Sequence, residues 1–194
     1  GKLGIGLDFG LVQNTIDGKF TAPDGTANDP AIPQSSVSGS SFDMGGGLYY
    51  NSEKLYIGIS STHLLESEID LDKFTKTYDR HYYGMIGYNW EVTPNVTLKP
   101  MLFVKTVTDN TTIDVNVNAH FNNKFWAGLS WRNDDAIVGM LGLTLLENLR
   151  LGYSYDFTTS ELKDYSDGTH EIMLGYCFNV KKRVPVSIRN VRFL

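Results

Sequence analysis

The side chains that could do chemistry in this 194-residue chain are few and scattered. A hydrolase built on nucleophilic attack needs a serine, an imidazole base and an orienting acid or amide within hydrogen-bond reach. Ser130, His120 and Asn118 could supply that set. His120, however, closes a strictly alternating segment beside Asn122-Asn123, where an inward polar or turn residue belongs, so the chain is not expected to be an enzyme. His63, His81 and His170 show no His-x-x-x-His spacing, the pattern that sets two imidazoles on one helix face. No metal site and no cofactor are therefore expected. Gly45-Gly46-Gly47 sits within a strand pattern, does not open a helix, and reads as room for tight curvature or close packing of the lumen rather than as a phosphate cradle. The single cysteine, Cys177, cannot form an internal disulfide and reads as an inert small residue on the lumen side.

The charged residues fall into three sets. Glu66, Glu68, Asp70 and Asp72 alternate along one connection. Were that stretch an extension of a strand, all four carboxylates would leave one face and could share Ca²⁺ or bridge lipopolysaccharide phosphates through divalent cations. A solvated acidic loop is the simpler expectation. Asp8, Lys105, Asp114, Arg132, Arg150, Asp156 and Glu171 each fall on the polar side of an alternating segment. Charges crowded into a narrow lumen must pair or stay hydrated, and a paired structural network is expected ahead of a conduction filter.

The third set is the C-terminal tail, residues 180–194, with Lys181, Lys182, Arg183, Arg189 and Arg192 and no acid, ending in Phe193-Leu194. The whole chain carries −5, so the body is more acidic than that figure. An acidic body with a basic tail does not point to nucleic acid. The tail follows the last strand on the short-turn side, hence periplasmic. It reads equally as a partner-docking element meeting an acidic surface and as a segment anchored on anionic headgroups or tucked into the lumen.

The elements that must position these groups are strands. In residues 112–121, Ile113, Val115, Val117, Ala119 and Phe121 face one way and Asp114, Asn116, Asn118 and His120 the other. The same period-2 pattern spans residues 3–15, 42–50, 55–64, 78–90, 96–105, 125–132, 136–145, 149–158 and 169–179. No apolar run is long enough for a membrane helix, which takes roughly 18 residues or more. The longest, 136–146, contains Thr144. The connections alternate between short turns (near Asn51, Thr93-Pro94-Asn95, Asn122 and Asn148) and an opposite end holding every longer one, including 17–41, 65–77, 106–111 and Ser160–Asp167. Sorting of loop length by end distinguishes an outer-membrane barrel from a soluble sandwich. The expected fold is all-β: an antiparallel up-and-down transmembrane β-barrel of about ten strands over residues 1–179, followed by the tail. The first residues lack the basic and apolar regions of a signal peptide.

Several phrases carry a family resemblance. They are Asn28-Asp29-Pro30-Ala31-Ile32-Pro33, Phe42-Asp43-Met44-Gly45-Gly46-Gly47-Leu48-Tyr49-Tyr50 and Pro100-Met101-Leu102-Phe103-Val104-Lys105. Further along come Trp126-Ala127-Gly128-Leu129-Ser130-Trp131-Arg132, Leu151-Gly152-Tyr153-Ser154-Tyr155-Asp156, residues 168–176 and the terminal Arg192-Phe193-Leu194. In this order they resemble the C-terminal two-thirds of the PorP/SprF outer-membrane proteins of the Bacteroidetes type IX secretion system. The resemblance implies that these strands belong to a larger barrel of about fourteen. It implies a role in type IX secretion or gliding motility in the bacterial outer membrane. The implied partners are outer-membrane lipids, a secreted surface protein or its C-terminal domain, and periplasmic or lipoprotein secretion components. A small-solute porin is the alternative.

Overall fold

Period-2 patterning with few helix formers between turns leaves the backbone one way to satisfy its polar groups, which is pairing between neighbouring strands. A computed structural model describes residues 1–18, 35–72, 75–145 and 148–178. Its strands are β1 (Lys2–Ile16), β2 (Val37–Asn51), β3 (Leu55–Thr62), β4 (Glu68–Asp70), β5 (Thr75–Thr77), β6 (His81–Tyr88) and β7 (Trp90–Thr93). They continue as β8 (Val96–Val107), β9 (Asn110–Phe121), β10 (Phe125–Arg132), β11 (Ala136–Leu145), β12 (Leu149–Thr158) and β13 (Thr169–Tyr176). One 3₁₀ turn, Glu161–Asp164, interrupts the last connection. The path β1-β2-β3-β6-β8-β9-β10-β11-β12-β13 runs up and down, each strand antiparallel to the next. This is the expected all-β barrel wall. It is not closed: along the path β1 pairs only with β2, and β13 only with β12. Among the described residues no helix is long and apolar enough to cross a membrane.

The register joins the polar positions of all ten strands into one face. Arg132 stands opposite Asp114 and Ala136, Ser130 opposite Asn116 and Val138, and Gly128 opposite Asn118 and Met140. Directly opposed residues of antiparallel strands share a side of the sheet, so one polar row extends across it. The two faces differ in exposure: Asn116 is 5% exposed on the polar side, whereas its neighbour Val115 is 44% exposed on the other. A flat sheet would expose both faces alike, so the polar face is concave. The convex face presents Leu7, Ile59, Leu129, Leu141 and Leu174, all exposed. A continuous apolar surface of this extent calls for a nonpolar solvent. Exposed outward aromatics border it at both ends, with Tyr82, Trp131 and Phe157 towards the long connections and Tyr50, Tyr88, Phe125 and Tyr176 towards the short turns. That is the girdle pattern of membrane barrels.

The inner wall is packed through glycine. A Cβ on Gly87 would collide with the Tyr56 ring, and one on Gly142 would stand 2.5 Å from the Trp126 indole, which also lies over Gly152. Glycines opposite large rings let those rings lie flat on the neighbouring strand.

Four boundaries differ from the sequence reading. β2 begins at Val37 rather than residue 42, because Ser38, Ser40 and Gly39 pair with Thr15, Gln13 and Asn14 despite their loop-like composition. The strand expected over 78–90 divides into β6 and β7, with a bulge between Glu91 and Thr93. Residues 106–111 are a tight hairpin and not a longer connection: β8 and β9 pair out to Val107–Asn110, leaving Thr108-Asp109 as the turn. Thr108 has φ of 47°. That is a left-handed conformation, which a β-branched residue rarely signals. β13 ends at Tyr176 rather than residue 179, so Cys177, expected on the lumen side, lies exposed just past the strand.

The connection between β3 and β6 folds inward. Its β4–β5 hairpin buries Ile69 and Leu71, and Ile69 lies where a Cβ on the inward Gly39 would stand. Asn14, also inward, donates to the Tyr78 hydroxyl at 2.5 Å. This connection therefore lies over the loop-end mouth of the concave face.

Candidate functional site

Among the described residues the concave wall carries a charge-rich group that spans four strands and a turn. Arg132 on β10 meets the Asp114 carboxylate of β9 at 2.9 Å, Asp135 in the β10–β11 turn at 2.9 Å and Asp156 of β12 at 3.9 Å. The register explains the convergence: Arg132 pairs with Asp114 on one side, and on the other Ala136 and Val138 are small enough to let its guanidinium reach Asp156 across β11. Asp114 and Asp156 side chains are mostly buried, whereas Asp135 is open to solvent. One guanidinium among three carboxylates leaves a net negative site, tolerable only where water or a further cation completes it. Below it, Asn118 donates to Asn116 at 2.5 Å, and Asn116 donates to the Leu129 carbonyl at 3.3 Å.

Of the seven lumen residues singled out from sequence, the structure brings Asp114, Arg132 and Asp156 together. Glu171 lies on the same face but bonds Ser154, at 3.4 Å. Asp8, Lys105 and Arg150 also face inward, and among the described residues none of them has an ion-pair partner. Asp135 was missed because it belongs to a turn, where a charge reads as solvated. The i to i+3 spacing from Arg132 was the available signal. The basic tail set, Lys181 to Leu194, and the boundary at residue 179 lie outside the described residues.

The other half of the concave face is smooth. Gly4, Gly6, Asp8, Ser60, Tyr83 and Phe103 line an open groove of about 610 Å³. At its mouth, Asp43 and His63 meet at 2.7 Å, and Arg80 bridges to Glu66 at 3.2 Å and donates to the Leu64 carbonyl at 2.8 Å. The Tyr82 hydroxyl and, less strongly, Glu66 raise the Arg80 pKa above its ordinary value. The acidic run does not act as a strand face: Glu66 and Asp72 have left-handed backbones (φ 48° and 68°), which break the alternation on either side of β4. Asp70 turns its carboxylate back to the Asp72 amide at 3.0 Å.

The serine, histidine and asparagine considered for hydrolysis are engaged separately. Ser130 donates to the Val115 carbonyl at 3.3 Å, His120 stacks on Trp126 at 6.1 Å, and Asn118 bonds Asn116.

The sequence model of a family described as type IX secretion system membrane protein PorP/SprF matches residues 1–176. The chain belongs to the PorP/SprF family. The matched region ends where β13 ends, so all ten strands of the PorP/SprF wall lie within it. This PorP/SprF chain is thus a membrane protein of the type IX secretion class, its Arg132 group and glycine-lined groove carried on the inner face of a strand-built wall. No curated protein and no solved structure matches it.

Proposed function

We propose that this PorP/SprF chain is a non-enzymatic outer-membrane β-barrel of type IX protein secretion and gliding motility. It holds a secreted surface protein at the cell surface, or tethers periplasmic secretion components to the membrane. The observation that carries this reading is the family match across residues 1–176. The outward apolar surface with its two aromatic borders supports a seat in a bilayer. The concave wall supports holding rather than chemistry, since Ser130, His120 and Asn118, the set a hydrolase would need together, are each engaged separately. Purification from native membranes in mild detergent, followed by mass spectrometry, should recover a secreted surface protein or a secretion component in near-stoichiometric amount. Recovery of the barrel alone from secreting cells would overturn the reading.

The open groove, of about 610 Å³, favours one second reading. This is a small-solute porin whose lumen charges select what passes. Planar-bilayer recording separates the two. Steady ion-selective conductance that changes selectivity on Arg132→Gln supports the porin, and a silent bilayer supports the holder.

A further inference from the structure

At the mouth of the concave face two histidines meet that stand far apart in the sequence. Pairing of β3 with β6 sets Thr62 opposite His81, which brings His63, the next residue, beside it. The two rings stand 5.5 Å apart, centre to centre, at 67°. His63 is held against Tyr78 at 5.2 Å on its other side, and His81 stacks on Tyr83 at 6.2 Å.

Their hydrogen bonds define which nitrogens are available. His63 Nδ1 lies 2.7 Å from the Asp43 carboxylate, and His81 Nδ1 lies 2.9 Å from the Asp79 carbonyl. An ionised carboxylate and a carbonyl can only accept, so Nδ1 carries the proton in both rings. Each neutral ring then keeps its lone pair on Nε2. One histidine backed by a carboxylate and one backed by a main-chain carbonyl is the outer-shell arrangement that orients metal-ligating imidazoles. The spacing fits as well. Zn–N bonds of about 2.0–2.1 Å at a tetrahedral angle put the centres of two ligating rings about 5 Å apart. The charge is also suited to a cation, for the second Asp43 oxygen, Oδ1, is buried with no hydrogen-bond partner among the described residues. Arg80, the nearby cation, spends its Nη2 on Glu66 and the Leu64 carbonyl, and its Nε is buried with no hydrogen-bond partner among the described residues.

We propose that His63 and His81 form a binding site for a divalent transition metal of the imidazole-preferring class, Zn²⁺ above all, at the loop-end mouth of the wall. No group of three or more His, Cys, Asp or Glu side chains converges as a metal cage among the described residues. The site is therefore an open one, two imidazoles with the remaining positions taken by water. Asp43 acts through His63 as a positioning residue. A bound ion would tie the end of β3 to the start of β6, beneath the connection that folds over the mouth.

The test uses the untagged full-length protein in detergent micelles, stripped with chelator and titrated with ZnCl₂ by calorimetry. One Zn²⁺ per chain is expected. The backbone of His63 is left-handed, with φ of 54°. Asparagine tolerates that conformation, so His63→Asn is the variant of choice there. It and His81→Gln should each weaken binding at least tenfold. Asp43→Asn should weaken it about tenfold, as removal of such outer-shell partners does. His120→Gln and His170→Gln should leave it unchanged. Substituting Cu²⁺, electron paramagnetic resonance should show two equatorial nitrogens, falling to one in either single variant. Heat-modifiable gel mobility verifies that each variant is folded. If a variant does not fold, the nitrogen count on the wild-type protein decides alone. Absence of saturable binding, binding indifferent to both His63→Asn and His81→Gln, or a copper spectrum without two nitrogens would overturn the proposal.

Discussion

Arg132 shows what a single charge can organise inside a strand wall. Its guanidinium faces Asp114, Asp135 and Asp156, and no other cation is within ion-pairing distance of them among the described residues. Removing it leaves carboxylates repelling one another in a half-buried space. Exposed pairs are worth little and fully buried ones several kcal/mol, so Arg132→Ala should cost about 1–3 kcal/mol. Urea unfolding from lipid vesicles reads this directly. Arg132→Lys should recover only part of the loss, because a single ammonium nitrogen cannot stand where both Nε and Nη1 meet Asp114 and Asp135. Asp114→Asn in the Arg132→Ala background should restore some stability by relieving repulsion. A double variant less stable than Arg132→Ala would mean that Asp114 contributes through packing or hydrogen bonding instead.

At the scale of elements, alternation and turn geometry carry separate predictions. Leu7 and Gly6 are neighbours on β1 at nearly the same depth, Leu7 outward and Gly6 inward with open space where its Cβ would stand. Leu7→Arg should therefore destabilise the inserted protein by about 2–4 kcal/mol and Gly6→Arg by less than about 1 kcal/mol, measured by the same unfolding equilibrium. A one-residue slip of register would exchange the two values, so the pair tests the wall's whole assignment of faces. The β8–β9 turn offers the opposite kind of test. Thr108 holds a left-handed backbone that disfavours branched side chains, and glycine adopts it freely. Thr108→Gly should raise stability by roughly 1 kcal/mol, which a higher urea midpoint at unchanged slope would show. A lower midpoint would mean that the Thr108 side chain contributes more than its backbone costs.

For the molecule as a whole, the properties to test are orientation and the role of the tail. With Cys177→Ser to remove the native thiol, cysteines at Ser36 and Ser52 report opposite ends of the wall. An impermeant maleimide on intact cells should label Ser36→Cys and spare Ser52→Cys, which lies in the β2–β3 turn. The reverse result would invert the proposed orientation. The basic tail predicts a separation of folding from partnership. Truncation after residue 180 should leave heat-modifiable, membrane-inserted protein while abolishing co-purification of the partner. Pro185 is the reason to expect this, since a central barrel strand needs each backbone N–H for its neighbour. Undiminished partner recovery would remove the docking role. Failure to insert would make the tail part of the wall's assembly.

Residue types alone were enough to specify the wall's alternating segments and their faces, though not β4, β5 or the early start of β2. Ile113 to Phe121 alternates so regularly that only one side can meet lipid, and the side-chain period of two transmits that choice along each strand. The short turns were equally legible where Asn122-Asn123 supplies two left-handed residues, with φ of 49° and 55°. Asparagine is a residue type suited to that backbone. The hairpin at Thr108 was hidden because its residue type does not advertise its conformation. Pairing across strands lay further out of reach. That Arg132 joins Asp114 and Asp156, that Lys105 and Arg150 do not join them, and that His63 meets His81 all depend on the stagger between neighbouring strands. Period-2 patterning says which face a side chain takes but is blind to a shift of two residues, which leaves every face unchanged while replacing every partner. The stagger is a collective property of turn lengths and inter-strand packing, so only the folded sheet decided which charges and which imidazoles came together.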